Sequence, residues 1–182
     1  MKPAGRTAII AAVVVALQAA AVVAYLQVER GRRVSAGFAV TTLPGLPAPA
    51  LMVERVDGVE LDVARDRGRV RVVHFWATWC VPCRKELPEL LARAAEVDGL
   101  ELLAVSVDDD WAVVREFFPA GVPRQVVRAR DREAHRRYGT QALPDSYVVT
   151  PDGRLVERIL GARDWSRPEA RRYLRTLTER WR

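Results

Sequence analysis

Cys80 and Cys83 are the only cysteines in the 182-residue chain, and their spacing is its strongest chemical signal. They sit in Trp79-Cys80-Val81-Pro82-Cys83, after the apolar run 70–76 and before a stretch with helical periodicity over 82–97. A thiol at the first turn of a helix meets unsatisfied backbone N–H groups and the positive end of the helix dipole, and both favour thiolate. Cys80 is therefore the expected nucleophile. Cys83 lies one turn further in, within disulfide reach but shielded, which suits it to resolving a mixed disulfide formed at Cys80. Pro82 fits an early helical position, where its missing N–H has no partner to lose. Other chemistries fit a lone pair of cysteines less well. Zinc would need further ligands where only His74 and His135 remain, and haem attachment would want His at the position of Arg84. A purely structural disulfide across so small a loop would constrain the unfolded chain little.

A strand must deliver this dithiol and a helix must carry it. The run 70–76 is the strand, and the helix over 82–97 should kink at Pro88. Asp57-Gly58 between apolar stretches 52–56 and 59–63 predicts a hairpin. A second apolar strand is expected over 100–107, helices over 110–118 and 131–138, and a closing hairpin of 146–150 and 155–161 about Pro151-Asp152-Gly153. A last helix over 167–181 carries Tyr173, Leu174 and Leu177 on one side. Strands alternating with helices and ending in a hairpin imply an α/β fold with a mixed sheet. Residues 34–50, holding Pro44, Pro47 and Pro49, are expected to form a semi-extended tether.

The net charge of +6 invites a nucleic-acid reading, but its distribution argues against one. Residues 1–33 carry +4 and residues 163–182 another +4, whereas the body between them is slightly acidic. The arginine runs over 65–71 and 124–137 are interspersed with Asp66, Asp131 and Glu133, and read as solvated faces. Residues 8–26 hold no charge and a single amide, Gln18. As a helix they would span about 28 Å, near the hydrocarbon thickness of a bilayer. The core is longer than that of a cleaved signal, and Arg30, Arg32 and Arg33 separate it from the only cleavage-like site at 34–36. An uncleaved anchor over 8–27 is therefore expected, after a short tail over 1–7 and before a linker over 28–45. Basic residues on both flanks leave the orientation to be set by the chemistry. The basic last helix would suit an anionic lipid surface.

The stretch 75–88, Phe-Trp-Ala-Thr-Trp-Cys-Val-Pro-Cys-Arg-Lys-Glu-Leu-Pro, resembles the active-site segment of membrane-tethered, thioredoxin-fold thiol-disulfide oxidoreductases of the TlpA/ResA type. The likeness extends through Leu46-Pro-Ala-Pro49, the Asp57-Gly58 hairpin, Tyr138-Gly139, Leu143-Pro144-Asp145-Ser146-Tyr147 and Pro151-Asp152-Gly153. It implies a thioredoxin-like domain over 46–182, with helices flanking a mixed central sheet and an extra N-terminal β-hairpin, preceded by one transmembrane helix. It implies a cis peptide at Pro144, facing the dithiol where the chain before it pairs with substrate, so Trp79, Pro82, Leu143, Pro144 and Asp145 are the expected substrate contacts. Glu86, one turn beyond Cys83, is either a solvated carboxylate or, as the resemblance implies, the group that tunes the thiols and passes protons. His74 stands where relatives carry Asp or Asn, and is either a satisfied core residue or a proton relay to Cys83. The Asp145 segment matches the cytochrome-maturation members only in part. The resemblance implies no cofactor or metal beyond the Cys80–Cys83 disulfide. Its implied partners are disulfide-bearing proteins and a membrane thiol reductase supplying electrons, with the domain on the extracytoplasmic side of the cell membrane. An oxidase or isomerase of the same fold, or a copper chaperone, are the competing functions.

Overall fold

The computed structural model describes residues 12–26, 38–65 and 67–181, in two compact units, Met1–Gly37 and Phe38–Arg182. In the first unit, residues 12–26 form helix α1, with apolar side chains exposed along its length, among them Val13, Leu17, Val22 and Leu26. Of the expected anchor, residues 8–11 and 27 lie outside the described residues, as do the tail over 1–7 and residues 28–37. Among the described residues no helix is long and apolar enough to cross a membrane.

The second unit is built on one eight-stranded sheet. Its strands are β1 (Thr41–Pro47), β2 (Met52–Glu54), β3 (Glu60–Asp62), β4 (Val70–Trp76), β5 (Leu100–Ser106), β6 (Val126–Ala129), β7 (Asp145–Val149) and β8 (Arg154–Leu160), in the order β1-β8-β7-β4-β5-β6-β2-β3. The β4-β5 and β5-β6 pairs are parallel and the others antiparallel. Helices α2 (Val81–Ala95), α3 (Trp111–Phe117), α4 (Ala134–Arg137) and α5 (Pro168–Arg180) complete the unit. All seven residues of β4 and all five of β7 are buried, as central strands covered on both faces require.

Alternation along β4 assigns those faces. Trp76 packs on Phe117 and Phe118, and His74 faces Glu86 of α2, whereas Phe75 points the other way, onto Tyr138 and Tyr147. The α5 helix buries Ala170, Tyr173, Leu174 and Leu177. Tyr173 donates to the buried Glu157 carboxylate at 2.7 Å, tying the helix to β8, and Phe38 stacks on the same tyrosine.

Three local expectations change. Residues 41–47, placed in the tether and linker, form edge strand β1 on β8, with a register shift between Thr42 and Leu46. An edge position accommodates Pro44 and Pro47 because the outward side needs no N–H donor. The helix expected over 131–138 shrinks to one turn, since Asp131 accepts from the Glu133 N–H in a local turn and Gly139, at φ +88°, closes the other end. The α2 helix runs unbroken through Pro88.

Candidate active site

The dithiol emerges where β4 ends. Cys80 is the N-cap of α2, with extended backbone at φ −81° and ψ 100°, and its Sγ accepts the Cys83 N–H at 3.3 Å. Pro82 follows in the first turn, and no acidic side chain in that turn opposes the dipole. The two sulfurs are joined as a disulfide. Cys80 is 5% exposed and Cys83 0%, while flanking Trp79 and Val81 are 68% and 60% exposed. An incoming sulfur thus meets Cys80 first.

The segment before the dithiol is held by Asp108, which sequence reasoning missed. Its carboxylate accepts from the Thr78 N–H, the Thr78 hydroxyl and the Ser106 hydroxyl, at 2.8–2.9 Å. The only signal for it was an acidic run at the end of a predicted strand. The Leu143-Pro144 peptide is cis. Pro144 immediately precedes β7, whose Asp145 pairs with Phe75 near the exit of β4, so topology brings the proline to the dithiol end of the sheet. Trp79 and Leu143 share a cleft of about 650 Å³ with Val113, His135 and Gln141. His135, expected at the surface, is half-buried there. Asp145 has a different place from the one expected: it is 0% exposed, bound by Arg158, Thr140 and Tyr147. Its carboxylate is enclosed by the protein and does not reach the cleft.

Glu86 is no solvated helix carboxylate. It is 6% exposed, and its Oε2 accepts from the Arg163 N–H at 2.5 Å and the Trp165 indole N–H at 3.2 Å. Burial pushes its carboxyl up to about 7, against the lowering effect of those two donors and of the Arg163 charge. Its Oε1 lies 3.6 Å from Nε2 of His74, whose own pKa burial pushes down to about 3. The pair is thus a neutral imidazole beside a carboxyl that titrates near neutrality. Among the described residues no cluster of three or more His, Cys, Asp or Glu is placed to hold a metal ion.

The elevated Glu86 value carries a stability consequence. The folded state holds the proton more tightly than the unfolded chain, whose carboxyl titrates near 4.5, so stability falls as pH rises from 4.5 through 7. The loss integrates to about 3 kcal/mol at pH 8. Glu86→Gln cannot ionise, and His74 is common to both proteins. Urea unfolding of the oxidised forms should therefore show the variant more stable by about 2–3 kcal/mol at pH 8 and nearly equal at pH 4. A difference independent of pH would contradict the buried, proton-holding carboxyl.

Comparison with known proteins places this geometry. The AhpC/TSA family model matches residues 44–158. The thiol-disulfide oxidoreductase ResA of Bacillus subtilis (strain 168) is 30% identical over 120 residues, covering 64% of this chain and 67% of that protein. The chain belongs to the AhpC/TSA family. It is a ResA-like, thioredoxin-fold thiol-disulfide oxidoreductase with Cys80 and Cys83 as its redox pair. The thiol:disulfide interchange protein HelX of Rhodobacter capsulatus is 32% identical over 126 residues, 66% of this chain and 70% of that protein. A structure described as thiol:disulfide interchange protein DsbE from Chlorobium tepidum superposes with TM-score 0.63 at 25% identity, covering 75% of this chain and 99% of that one.

Proposed function

We propose that this oxidoreductase works as a membrane-anchored reductant of disulfides in extracytoplasmic proteins, with a disulfide of apocytochrome c among its substrate class. The observation that carries the direction is the buried Glu86 carboxyl one turn from Cys83. A carboxylate beside thiols disfavours thiolate, which raises the energy of the reduced pair and makes it a better electron donor.

In the cycle, the Cys80 thiolate attacks a substrate disulfide and expels one substrate thiolate, leaving a mixed disulfide on Cys80. Glu86 takes the Cys83 proton. Cys83 then attacks Cys80 Sγ and expels the second substrate thiolate, which takes up a proton. The protein ends as the Cys80–Cys83 disulfide of this structure, and a membrane thiol donor resets it by the same steps reversed. Trp79, Pro82 and the chain before cis-Pro144 present the substrate segment to Cys80, and the dithiol carries both electrons without another cofactor. The anchor reading draws on α1, uncharged and apolar apart from Gln18, within a segment bounded by Lys2, Arg6, Arg30, Arg32 and Arg33. The extracytoplasmic reading draws on chemistry, since disulfides persist there.

Alkylation of intact spheroplasts with a membrane-impermeant thiol reagent tests location and direction together. Labelling of Cys80 without prior reduction is the expected result. Labelling only after added reductant would make the protein an oxidase, and labelling only after lysis would place the domain in the cytoplasm.

A further inference from the structure

Opposite Glu86 stands a buried imidazole that the cycle above does not use. His74 is 0% exposed, and the sheet register sets it across from Ser146 of β7, whose Oγ lies 2.8 Å from Nδ1. Its Nε2 is buried without a hydrogen-bond partner among the described residues and lies 3.6 Å from Glu86 Oε1. The other carboxyl oxygen, Oε2, already accepts from Arg163 and Trp165. The free ring nitrogen and the less occupied carboxyl oxygen therefore face each other.

A neutral imidazole has one N–H, and its place decides what Glu86 meets. If Nδ1 held the proton, the Ser146 hydroxyl proton would have no acceptor in the pair and a ring lone pair would oppose the carboxylate. If the Ser146 hydroxyl donates into Nδ1, the proton sits on Nε2, aimed at Oε1, and every donor in the trio has an acceptor. We propose that His74 is a positioning residue for Glu86: its Nε2–H, fixed in that tautomer by Ser146, is donated to Oε1 when the carboxylate forms, so that a neutral ring sets how tightly the acid beside Cys83 holds its proton. The inference rests on the reading of Glu86 as the proton acceptor of Cys83. At 3.6 Å the contact in the disulfide form is longer than a hydrogen bond, and charge developing on Oε1 draws the donor in, as catalytic contacts do when the reacting state forms. The charged and titratable groups facing Glu86 are His74 from β4 and Arg163 from the segment after β8, while Cys83 lies one turn away on the same helix. His74 stays neutral across the working range, so it acts through its N–H and not through a charge.

The test is the pH profile of reduction of a small aromatic disulfide by the reduced full-length protein in detergent. His74→Asn keeps an amide near the Nδ1 position, against Ser146, but loses the donor at Nε2; His74→Gln keeps a donor near Nε2. The Glu86 inflection should move alkaline by about one pH unit in His74→Asn, the scale of one hydrogen bond to a charged group, and stay near that of the wild type in His74→Gln. An inflection unmoved in His74→Asn but absent in Glu86→Gln overturns the proposal and leaves the role of Glu86 standing. An inflection that survives in Glu86→Gln overturns both. Imidazole ¹⁵N shifts of the unmutated protein give a readout that needs no variant to fold: an Nε2–H tautomer supports the proposal and an Nδ1–H tautomer overturns it.

Discussion

Cys83→Ser will accumulate mixed disulfides on Cys80, whereas Cys80→Ser will form almost none and lose disulfide exchange by roughly a thousandfold or more, as expected when a covalent nucleophile is removed. The asymmetry follows from placement rather than from residue type. Cys80 Sγ sits at the helix N-cap and receives the Cys83 N–H, so its thiolate is stabilised where the exposed Trp79 and Val81 leave a way in. Cys83 is fully buried on the inner side of the same turn and can reach one sulfur, that of Cys80. Removing it leaves the first attack intact and deletes the second, so substrates stay bound. Non-reducing electrophoresis followed by mass spectrometry of the adducts measures this directly. Adducts on Cys83 in the Cys80→Ser protein, formed as fast as those on Cys80 in the reciprocal variant, would invert the assignment.

The dithiol was legible in the sequence because it is local: four consecutive positions and the strand and helix around them carry its chemistry. Strand β4 matched its predicted bounds, and β5, β7, β8, α2 and α5 came within a residue or two, since each has an apolar pattern or turn residues of its own. Two strands were missed for opposite reasons. Proline density hid β1, whose edge position removes the usual penalty, and flanking arginines hid β6, whose buried Val126, Val127 and Ala129 make only a short apolar signal. The groups around Glu86 and His74 were illegible because they arrive from far along the chain: Ser146 reaches His74 through strand register, and Arg163 and Trp165 reach Glu86 through the segment between β8 and α5. Nothing at position 86 distinguishes a buried acid from an exposed one. Arg163, Trp165 and Asp108 lie 77, 79 and 30 residues from the groups they hold, beyond the reach of any periodicity.

Asp145 shows how strongly such distant contacts decide a residue's part, and Arg158→Ala should be among the most destabilising single changes in the domain. The Arg158 guanidinium contacts both Asp145 oxygens, at 3.1 Å from Nε and 2.7 Å from one terminal nitrogen, lies over the Tyr147 ring, and reaches the Gly139 carbonyl at 3.2 Å. Those hydrogen bonds hold the guanidinium proton more tightly than usual, as a charge-assisted pair requires. Asp145 itself is 0% exposed, with Thr140 and Tyr147 hydroxyls as its remaining donors. Truncating the arginine leaves a buried carboxylate with two neutral donors and no counter-charge, a change that costs about 3–5 kcal/mol, or roughly 10 °C in Tm for a domain of this size. Asp145→Asn in the Arg158→Ala background removes the stranded charge and should recover about half of the loss, because the uncompensated carboxylate and not the missing contacts dominates the cost. Thermal unfolding of the two variants beside the parent measures both steps. Since Asp145 follows Pro144 directly, the same charge pair anchors the proline that the proposed function sets against the substrate. Exchange activity should therefore fall with Arg158→Ala even below its melting transition and return in part with the second substitution. A single variant as stable as the parent would mean that the Arg158–Asp145 ion pair contributes nothing to the stability of the domain.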